Sequence, residues 1–255
     1  MHIIVCVKQV PDMEAELHLD ENSGWLDIPY NLEFKMNAFD EYAVEEAVRI
    51  KRDYPDTVID VVSVGPERAR EVLQRALGMG ADRAIHIRSE DHISSLQVAE
   101  LVGNNLGKKG FDLVLTGAMS EDNMQGLLAP LLAQKLQMPS INSVVELEIG
   151  ANNGTVSVKR ELEGGRSEKF QVLLPAVLSL QSGINTPRYP ALSKLLQAKQ
   201  TEFETFSPEC PASGEKLLYL QKPGQVRKGQ WLQGDVSNKA EQLLQILRQK
   251  NVLSC

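Results

Sequence analysis

Residues 2–7 read His-Ile-Ile-Val-Cys-Val, a short apolar run that is rich in β-branched side chains. Such a run is typical of a strand that is buried on both faces of a sheet. Similar runs follow along the chain at Val58–Val64, Arg83–Ile87 and Phe111–Thr116. We therefore predict a core strand at each of these segments, with residues 2–7 forming the first.

Helical patterns separate these strands. Ala38–Lys51 carries apolar residues near helical spacing, and Asp40 and Glu41 place negative charge in its first turn, where the helix dipole favours it. Further helices are predicted at Glu67–Leu77, Ser94–Leu106 and Leu127–Leu136. Because strands alternate with helices, the sequence predicts an α/β fold with a mostly parallel, doubly wound, Rossmann-like sheet.

The pattern changes after Ser143. Val144–Ile149 and Thr155–Leu162 flank an Asn-Asn-Gly turn and predict an antiparallel hairpin. Phe170, Val172 and Leu174 then alternate on the way to an apolar run that ends at Leu180.

The last part of the chain, beyond Gly183, is richer in polar residues, proline and glycine. A final helix is predicted at Asn238–Asn251, with Ser237 or Asn238 as its cap. A helix at the end of such an arm cannot bury its apolar stripe alone, so it packs either on a partner chain or back on its own domain.

The predicted strand order alone indicates where a ligand would bind. In parallel sheets, ligands bind beyond the carboxyl ends of the strands, which here are the loops after Val7, Val64 and Thr116 and the turn at Asn37. Gly117–Gly126 lies between a strand and a helix, so a ligand could approach the glycine and a phosphate could meet free helix N–H groups. An ordinary polar loop would have the same composition.

Composition and missing motifs exclude several classes of protein. The chain has 255 residues and a net charge of −7, which argues against nonspecific nucleic-acid binding. It has no apolar run of the roughly 18–20 residues that cross a bilayer, and no signal peptide opens it, so we expect no membrane insertion. There is no GxGxxG and no Walker lysine, so neither a dinucleotide fingerprint nor an NTPase is supported.

A search for catalytic residues finds no candidates. Scattered histidines give no metal spacing, and Cys6 lies inside a strand, where a small buried side chain is expected. Cys6, Cys210 and Cys255 are odd in number and form no CxxC, which favours a reducing cytoplasm. Carboxylate pairs such as Glu45-Glu46 lie on a helix face, where we expect them to be solvated. The chain is therefore expected to bind, carry or assemble, with no catalytic or metal-ligating residues.

Several ordered motifs resemble the beta subunit of electron transfer flavoproteins. They are Val-Cys-Val-Lys-Gln-Val-Pro-Asp at 5–12, Met-Asn-Ala-Phe-Asp at 36–40 leading into Ala-Val-Glu-Glu-Ala at 43–47, Ala-Leu-Gly-Met-Gly-Ala-Asp-Arg at 76–83, Val-Lys-Arg-Glu-Leu-Glu-Gly-Gly at 158–165 and Asn-Thr-Pro-Arg-Tyr at 185–189. The resemblance covers about residues 1–200. Phe170 departs from it, since a smaller aliphatic residue is usual there.

The resemblance implies an obligate heterodimer. The family's alpha subunit carries the redox FAD, while the beta subunit is an adenine-nucleotide-binding α/β domain that in most members holds structural AMP. By resemblance, the nucleotide contacts fall on Cys6, Lys8, Asn37, Ala38, Phe39, Asp40, Val64, Gly117, Ala118, Met119, Ser120, Asp122, Asn123, Met124 and Gln125. These positions coincide with the strand-end loops that the predicted topology selects.

The resemblance also implies partners and a division of the chain. Leu192 matches the exposed leucine by which the family anchors acyl-CoA dehydrogenases, and Met13 matches a position near the partner's flavin. Electrons would pass from such flavin dehydrogenases, as in fatty acid oxidation, to a quinone reductase or another acceptor. We expect a nucleotide-binding domain at 1–185, a partner recognition loop at 186–200, and an arm at 201–255 that packs on the alpha subunit.

Alternatives remain for the pocket and for the class of protein. Electron-bifurcating relatives, which oxidise NADH, hold a second FAD in place of AMP, with a loop reading roughly I-D-G-D-T-x-Q-V-G-P. Here Ser120–Gly126 is shorter and lacks the glycine-threonine step, which favours AMP but leaves FAD or an altered pocket open. A stress-type nucleotide-binding homodimer is a third possibility. The family signature that begins at 158–165 and continues through Glu168 to Pro-Ala-Val-Leu-Ser at 175–179 argues against it.

Overall fold

The computed structural model describes residues 1–12, 14, 18–20, 25–27, 32–90, 93–106, 110–151, 154–215, 218–221, 229–250 and 252. The strands are β1 His2–Cys6, β2 Gln9–Pro11, β3 His18–Asp20, β4 Trp25–Asp27, β5 Phe34–Met36, β6 Val58–Gly65, β7 Arg83–Arg88, β8 Leu113–Gly117, β9 Ser140–Ile149, β10 Thr155–Glu161, β11 Ser167–Leu173, β12 Ala176–Leu180 and β13 Glu204–Phe206. The helices are α1 Ala38–Asp53, α2 Arg70–Met79, α3 Ser95–Leu106, α4 Leu128–Leu136, α5 Leu192–Lys199 and α6 Val236–Gln249. A short 3₁₀ turn, Glu67–Ala69, precedes α2.

The main sheet has nine strands in the order β11-β10-β9-β12-β8-β1-β6-β7-β13. From β9 through β13 every neighbouring pair is parallel, whereas β9, β10 and β11 pair antiparallel at one edge. The central strand β1 is paired on both sides, by β6 and β8, which explains why residues 2–7 form a continuous apolar run. The predicted α/β fold and its antiparallel hairpin are confirmed.

Helices cover both faces of this sheet. On one face, apolar residues of α1 and α2 pack on Ile3, Val5 and Val61. On the other, α3 and α4 pack on Ile4, Val62 and Val114. Alternate residues of each central strand therefore point into two separate hydrophobic layers, which is the architecture of a doubly wound sheet.

Two details differ from the sequence-based expectation. Glu204–Phe206 was not predicted as a strand, yet it pairs with β7 and completes that edge of the sheet. The last helix begins at Val236, and its cap is Asp235, whose Oδ1 accepts the backbone N–H of Asn238 at 2.8 Å. The predicted cap at Ser237 or Asn238 is therefore wrong, because the chain turns into the helix earlier than the apolar pattern indicates.

The chain divides into two compact units, Met1–Leu218 and Tyr219–Cys255. The second unit contains α6, on which Leu243 and Leu244 are nearly half exposed. In the part of the chain that the structure describes, no helix is both long and apolar enough to span a bilayer.

Candidate nucleotide-binding rim and docking segment

The carboxyl ends of β1 and β8 meet at the point where the strand order reverses. From β1 the chain moves outward through β6 and β7, then returns to the other side of β1 to form β8 and β12. A crevice at such a switch point is where open α/β sheets bind ligands. The residues at this edge, Lys8, the Asn37–Asp40 turn and the loop 117–126, are called the rim below.

Asp40, in the first turn of α1, holds the two strand ends together. Its Oδ2 accepts the backbone N–H of Lys8 at 2.7 Å, and its Oδ1 accepts the backbone N–H of Gly117 at 3.1 Å. The side chain is 5% exposed, and burial raises its pKa to about 7, against the lowering effect of these amides and of the Lys8 charge. The rim therefore contains a carboxyl group whose pKa lies near neutrality.

Gly117 is required by packing. A Cβ at this position would clash with Asp40 Oδ1 and would lie 2.8 Å from the backbone carbon of Phe39. The first turn of α1 takes the space beside this glycine, so its small size is needed for packing. That the glycine also lets a ligand approach the backbone stays a prediction. Its N–H group is also used internally, by Asp40.

Asn37 joins the start of α1 to the loop after β8. Its Nδ2 donates to the carbonyl of Met119 at 2.9 Å, and its Oδ1 accepts the N–H of Glu121 at 3.1 Å. In return, Glu121 Oε2 accepts the N–H of Ala38 at 3.3 Å, which caps the helix. Asn37 is 1% exposed, so its amide group serves the loop and not the solvent.

The outer part of the rim is organised by Lys8. Its Nζ lies 2.6 Å from Asp122 Oδ2 and 3.4 Å from Ser120 Oγ. Within the loop, Asn123 Oδ1 accepts hydrogen bonds from Ser120 Oγ at 2.8 Å and from the N–H of Gln125 at 3.2 Å. These bonds fold the loop tightly enough that Met124 adopts a positive φ of 55°.

Several backbone N–H groups of the loop remain available. Within the described chain, no hydrogen bond is formed by the amides of Met119, Ser120, Asp122, Asn123, Gly126, Leu127, Leu128 and Ala129. The last of these form the N-terminus of α4, where the helix dipole is positive. Free amides at a helix start are the usual donors for a phosphate group.

The other predicted site residues have varied surroundings. Cys6 is buried, and burial, with a smaller contribution from Asp40, raises the pKa of its thiol to about 12. Ala118 is also buried, and its N–H donates to the carbonyl of Leu180. Val64 is the next-to-last residue of β6, on the opposite side of β1 from the loop, and packs on the α3–α4 layer. Met13 lies outside the described residues.

Leu192, predicted to lie in a loop, is the first residue of α5. It is 71% exposed, and Tyr189 just before it is 89% exposed. The helix is seated on α2, where Leu195 fills the space that a side chain at Gly78 would take. A cavity of about 700 Å³ lies between α2 and α5, lined by Leu192, Leu195, Leu196, Glu67, Arg68, Arg70, Glu71, Gln74, Arg75 and Lys199.

The expectation that Glu45 and Glu46 are solvated is wrong. Each is 5% exposed, because the segment after β12 crosses over α1 and covers them. Glu45 pairs with Arg188, and Glu46 accepts a hydrogen bond from Asn185. The motif at 185–189 contained both partners, so a search for cations and amides opposite the acidic pair could have found this contact.

Comparison with known proteins agrees with this architecture. A sequence model of the electron transfer flavoprotein domain matches residues 30–210. The chain is 31% identical to the electron transfer flavoprotein subunit beta of Bacillus subtilis, with 97% of this chain and 98% of the relative covered. It is 30% identical to the corresponding subunit of Methylophilus methylotrophus, with 98% of each chain covered. A probable subunit beta from Saccharomyces cerevisiae is 29% identical, over 98% and 96% of the two chains. This chain therefore belongs to the electron transfer flavoprotein family, as a beta subunit.

Proposed function

We propose that this chain holds AMP at the rim and forms a heterodimer with an alpha subunit that carries the redox FAD. The heterodimer would accept electrons from flavin dehydrogenases of the acyl-CoA dehydrogenase type and pass them to a quinone reductase or another acceptor. The beta subunit then acts as a carrier subunit, and its own residues bind, brace and dock.

The free backbone amides of the loop and of the α4 N-terminus are the observation that best supports the proposal that the rim binds AMP. A phosphate needs N–H donors and an absence of free negative charge nearby. The carboxylates at the rim are engaged: Asp40 by two backbone amides, Glu121 by the N–H of Ala38, and Asp122 by Lys8. The residue types present therefore fit a nucleotide phosphate, with Lys8 supplying positive charge beside it.

The residues of this chain favour a structural role for the nucleotide. The thiol of Cys6, with its pKa raised to about 12, stays protonated at neutral pH and is no nucleophile. In the described chain no cluster of histidine, cysteine, aspartate or glutamate could hold a metal ion. Bound FAD in the partner subunit supplies the redox chemistry, while Asn37 and Asp40 brace the rim against the sheet.

Leu192 and its neighbours support docking to a dehydrogenase. Leu192, Leu196 and Tyr189 are large apolar or aromatic side chains that are exposed on one short helix and its approach. A small apolar anchor suits an electron carrier, because low-area redox encounters dissociate quickly.

The nucleotide content of the purified heterodimer tests the proposal. The chain is co-expressed with its alpha subunit, nucleotides are released by acid, and they are quantified by chromatography against protein. We expect one AMP and one FAD per heterodimer. Two FAD molecules and no AMP would instead identify a bifurcating flavoprotein, and ATP bound by this chain without an alpha subunit would identify a stress-type module.

A further inference from the structure

The segment that leads to α5 is held by side chains and not by a backbone ladder. Within the described chain, residues 182–190 form no backbone–backbone hydrogen bond. Asn185 Nδ2 instead donates to the carbonyl of Tyr42 at 3.0 Å and to Glu46 Oε2 at 2.8 Å. Arg49 Nη1 bridges Glu46 Oε2 at 3.2 Å and the carbonyl of Ile184 at 3.3 Å.

The strongest of these contacts joins Arg188 to Glu45. Arg188 Nε lies 2.7 Å from Glu45 Oε2 and Nη2 lies 2.8 Å from Oε1, which is a bidentate ion pair. The backbone N–H of Arg188 also donates to Oε2, at 3.2 Å. Glu45 therefore fixes both the side chain and the main chain of Arg188.

Burial shows what such a contact contributes. The Glu45 side chain is 7% exposed, so its charge has lost most of its hydration, whereas Arg188 is 44% exposed. A buried ion pair contributes little net stability, because desolvation offsets the attraction, but it restricts the chain to one arrangement. Here the restricted element is the segment that ends at the exposed Leu192.

We propose that Glu45 and Arg188 are positioning residues for partner docking, since the ion pair on the buried Glu45 sets the place of α5 and hence of Leu192. The inference rests on the proposed docking function. Two contacts fix the position of α5. Arg188 holds the segment before the helix on α1, and Leu195 of the helix packs against Gly78 of α2. A single contact on α2 would leave the start of α5 free to pivot.

The test uses the heterodimer with this chain carrying Glu45→Gln, Arg188→Lys or Leu192→Ala. Arg160→Gln is the control, because Arg160 forms an arginine–glutamate ion pair with Glu168 on the β10–β11 hairpin, where both partners are partly exposed. Electron transfer from a purified acyl-CoA dehydrogenase gives KM for the heterodimer and kcat. Amide hydrogen exchange reports on residues 184–199, and released AMP reports on the rim.

We expect Glu45→Gln to raise KM about tenfold with kcat within about twofold, because a misplaced anchor weakens association and not the reaction. The rate of amide hydrogen exchange should rise in residues 184–199 and stay unchanged in β1 and β8. The heterodimer should retain its AMP. Arg188→Lys keeps the positive charge but loses the planar guanidinium that contacts both oxygens of Glu45. Its KM and its exchange in 184–199 should therefore lie between those of Glu45→Gln and of the native chain. The control should match the native chain in all respects.

Three results would overturn the inference in distinguishable ways. If Leu192→Ala raises KM but Glu45→Gln and Arg188→Lys do not, the positioning role is wrong while docking through Leu192 stands. If Leu192→Ala leaves KM unchanged, the docking function itself is wrong, and the positioning role falls with it. A parallel loss of AMP, kcat and thermal stability in Arg188→Lys would show that the pair serves folding alone.

Discussion

The carboxylate of Asp40 accepts the backbone N–H of Gly117, a residue 77 positions further along the chain, at 3.1 Å. The other carboxylate oxygen accepts the N–H of Lys8 at 2.7 Å. One side chain in the first turn of α1 therefore connects the ends of the two strands that border the switch point.

Asp40→Asn should destabilise the protein, because an amide side chain offers one acceptor where two buried N–H groups need partners. We expect a loss of about 1–3 kcal/mol in the free energy of unfolding, measured by urea denaturation. Asp53→Asn is the matched control, since Asp53 is an exposed residue at the end of the same helix. Equal effects of the two substitutions would contradict the role given to Asp40.

The contribution of Asp40 should depend on pH. Its pKa is raised from 3.8 to about 7 in the folded state, so protonation favours folding. This contribution is fully present below pH 3.8 and is lost as the pH rises through about 7. The native chain should therefore gain stability relative to Asp40→Asn between pH 8 and pH 5. A difference that is flat across this range would show that the pKa of Asp40 is not raised.

Gly117→Ala should disrupt the rim from within. Its methyl group would meet Asp40 and the backbone of Phe39, neither of which can move without shifting α1. We expect about 1–3 kcal/mol of destabilisation and a lower AMP content after purification of the heterodimer. Gly229→Ala is the control, because no atom of the described residues outside its chain neighbours lies within 4 Å of a Cβ there. Native stability in Gly117→Ala would mean that α1 is not seated as described.

Lys8→Gln should weaken nucleotide binding while leaving the free energy of unfolding nearly unchanged. The Lys8–Asp122 pair is partly exposed, so its loss should change stability by no more than about 1 kcal/mol. It leaves Asp122 uncompensated beside the free amides, however, and we expect AMP affinity measured by calorimetry to fall about tenfold. Adding Asp122→Asn should restore much of the affinity, and Lys169→Gln, an exposed lysine on β11, should have no effect. Failure of the double variant to recover would place the phosphate away from Lys8.

The sequence predicted the sheet and its helices because their signals are local. A β-branched run such as residues 2–7 or a helical spacing such as Ala38–Lys51 is visible within a short window. The site loops followed from the strand ends alone. The packing reason for a glycine at 117 could not be predicted from the sequence, because it depends on which helix packs against that residue. The Glu45–Arg188 pair was missed for the same reason, since its partners are 143 residues apart.

The short strand β13 has a practical consequence for shortening the chain. Glu204–Phe206 pairs with β7 along Ile85, His86 and Ile87, at the outer edge of the nine-stranded sheet. A fragment cut after residue 200 would leave the peptide groups of β7 without this neighbour, and an open edge of that kind recruits strands from other molecules. Such a fragment would self-associate, whereas one that ends beyond Phe206 keeps β7 paired.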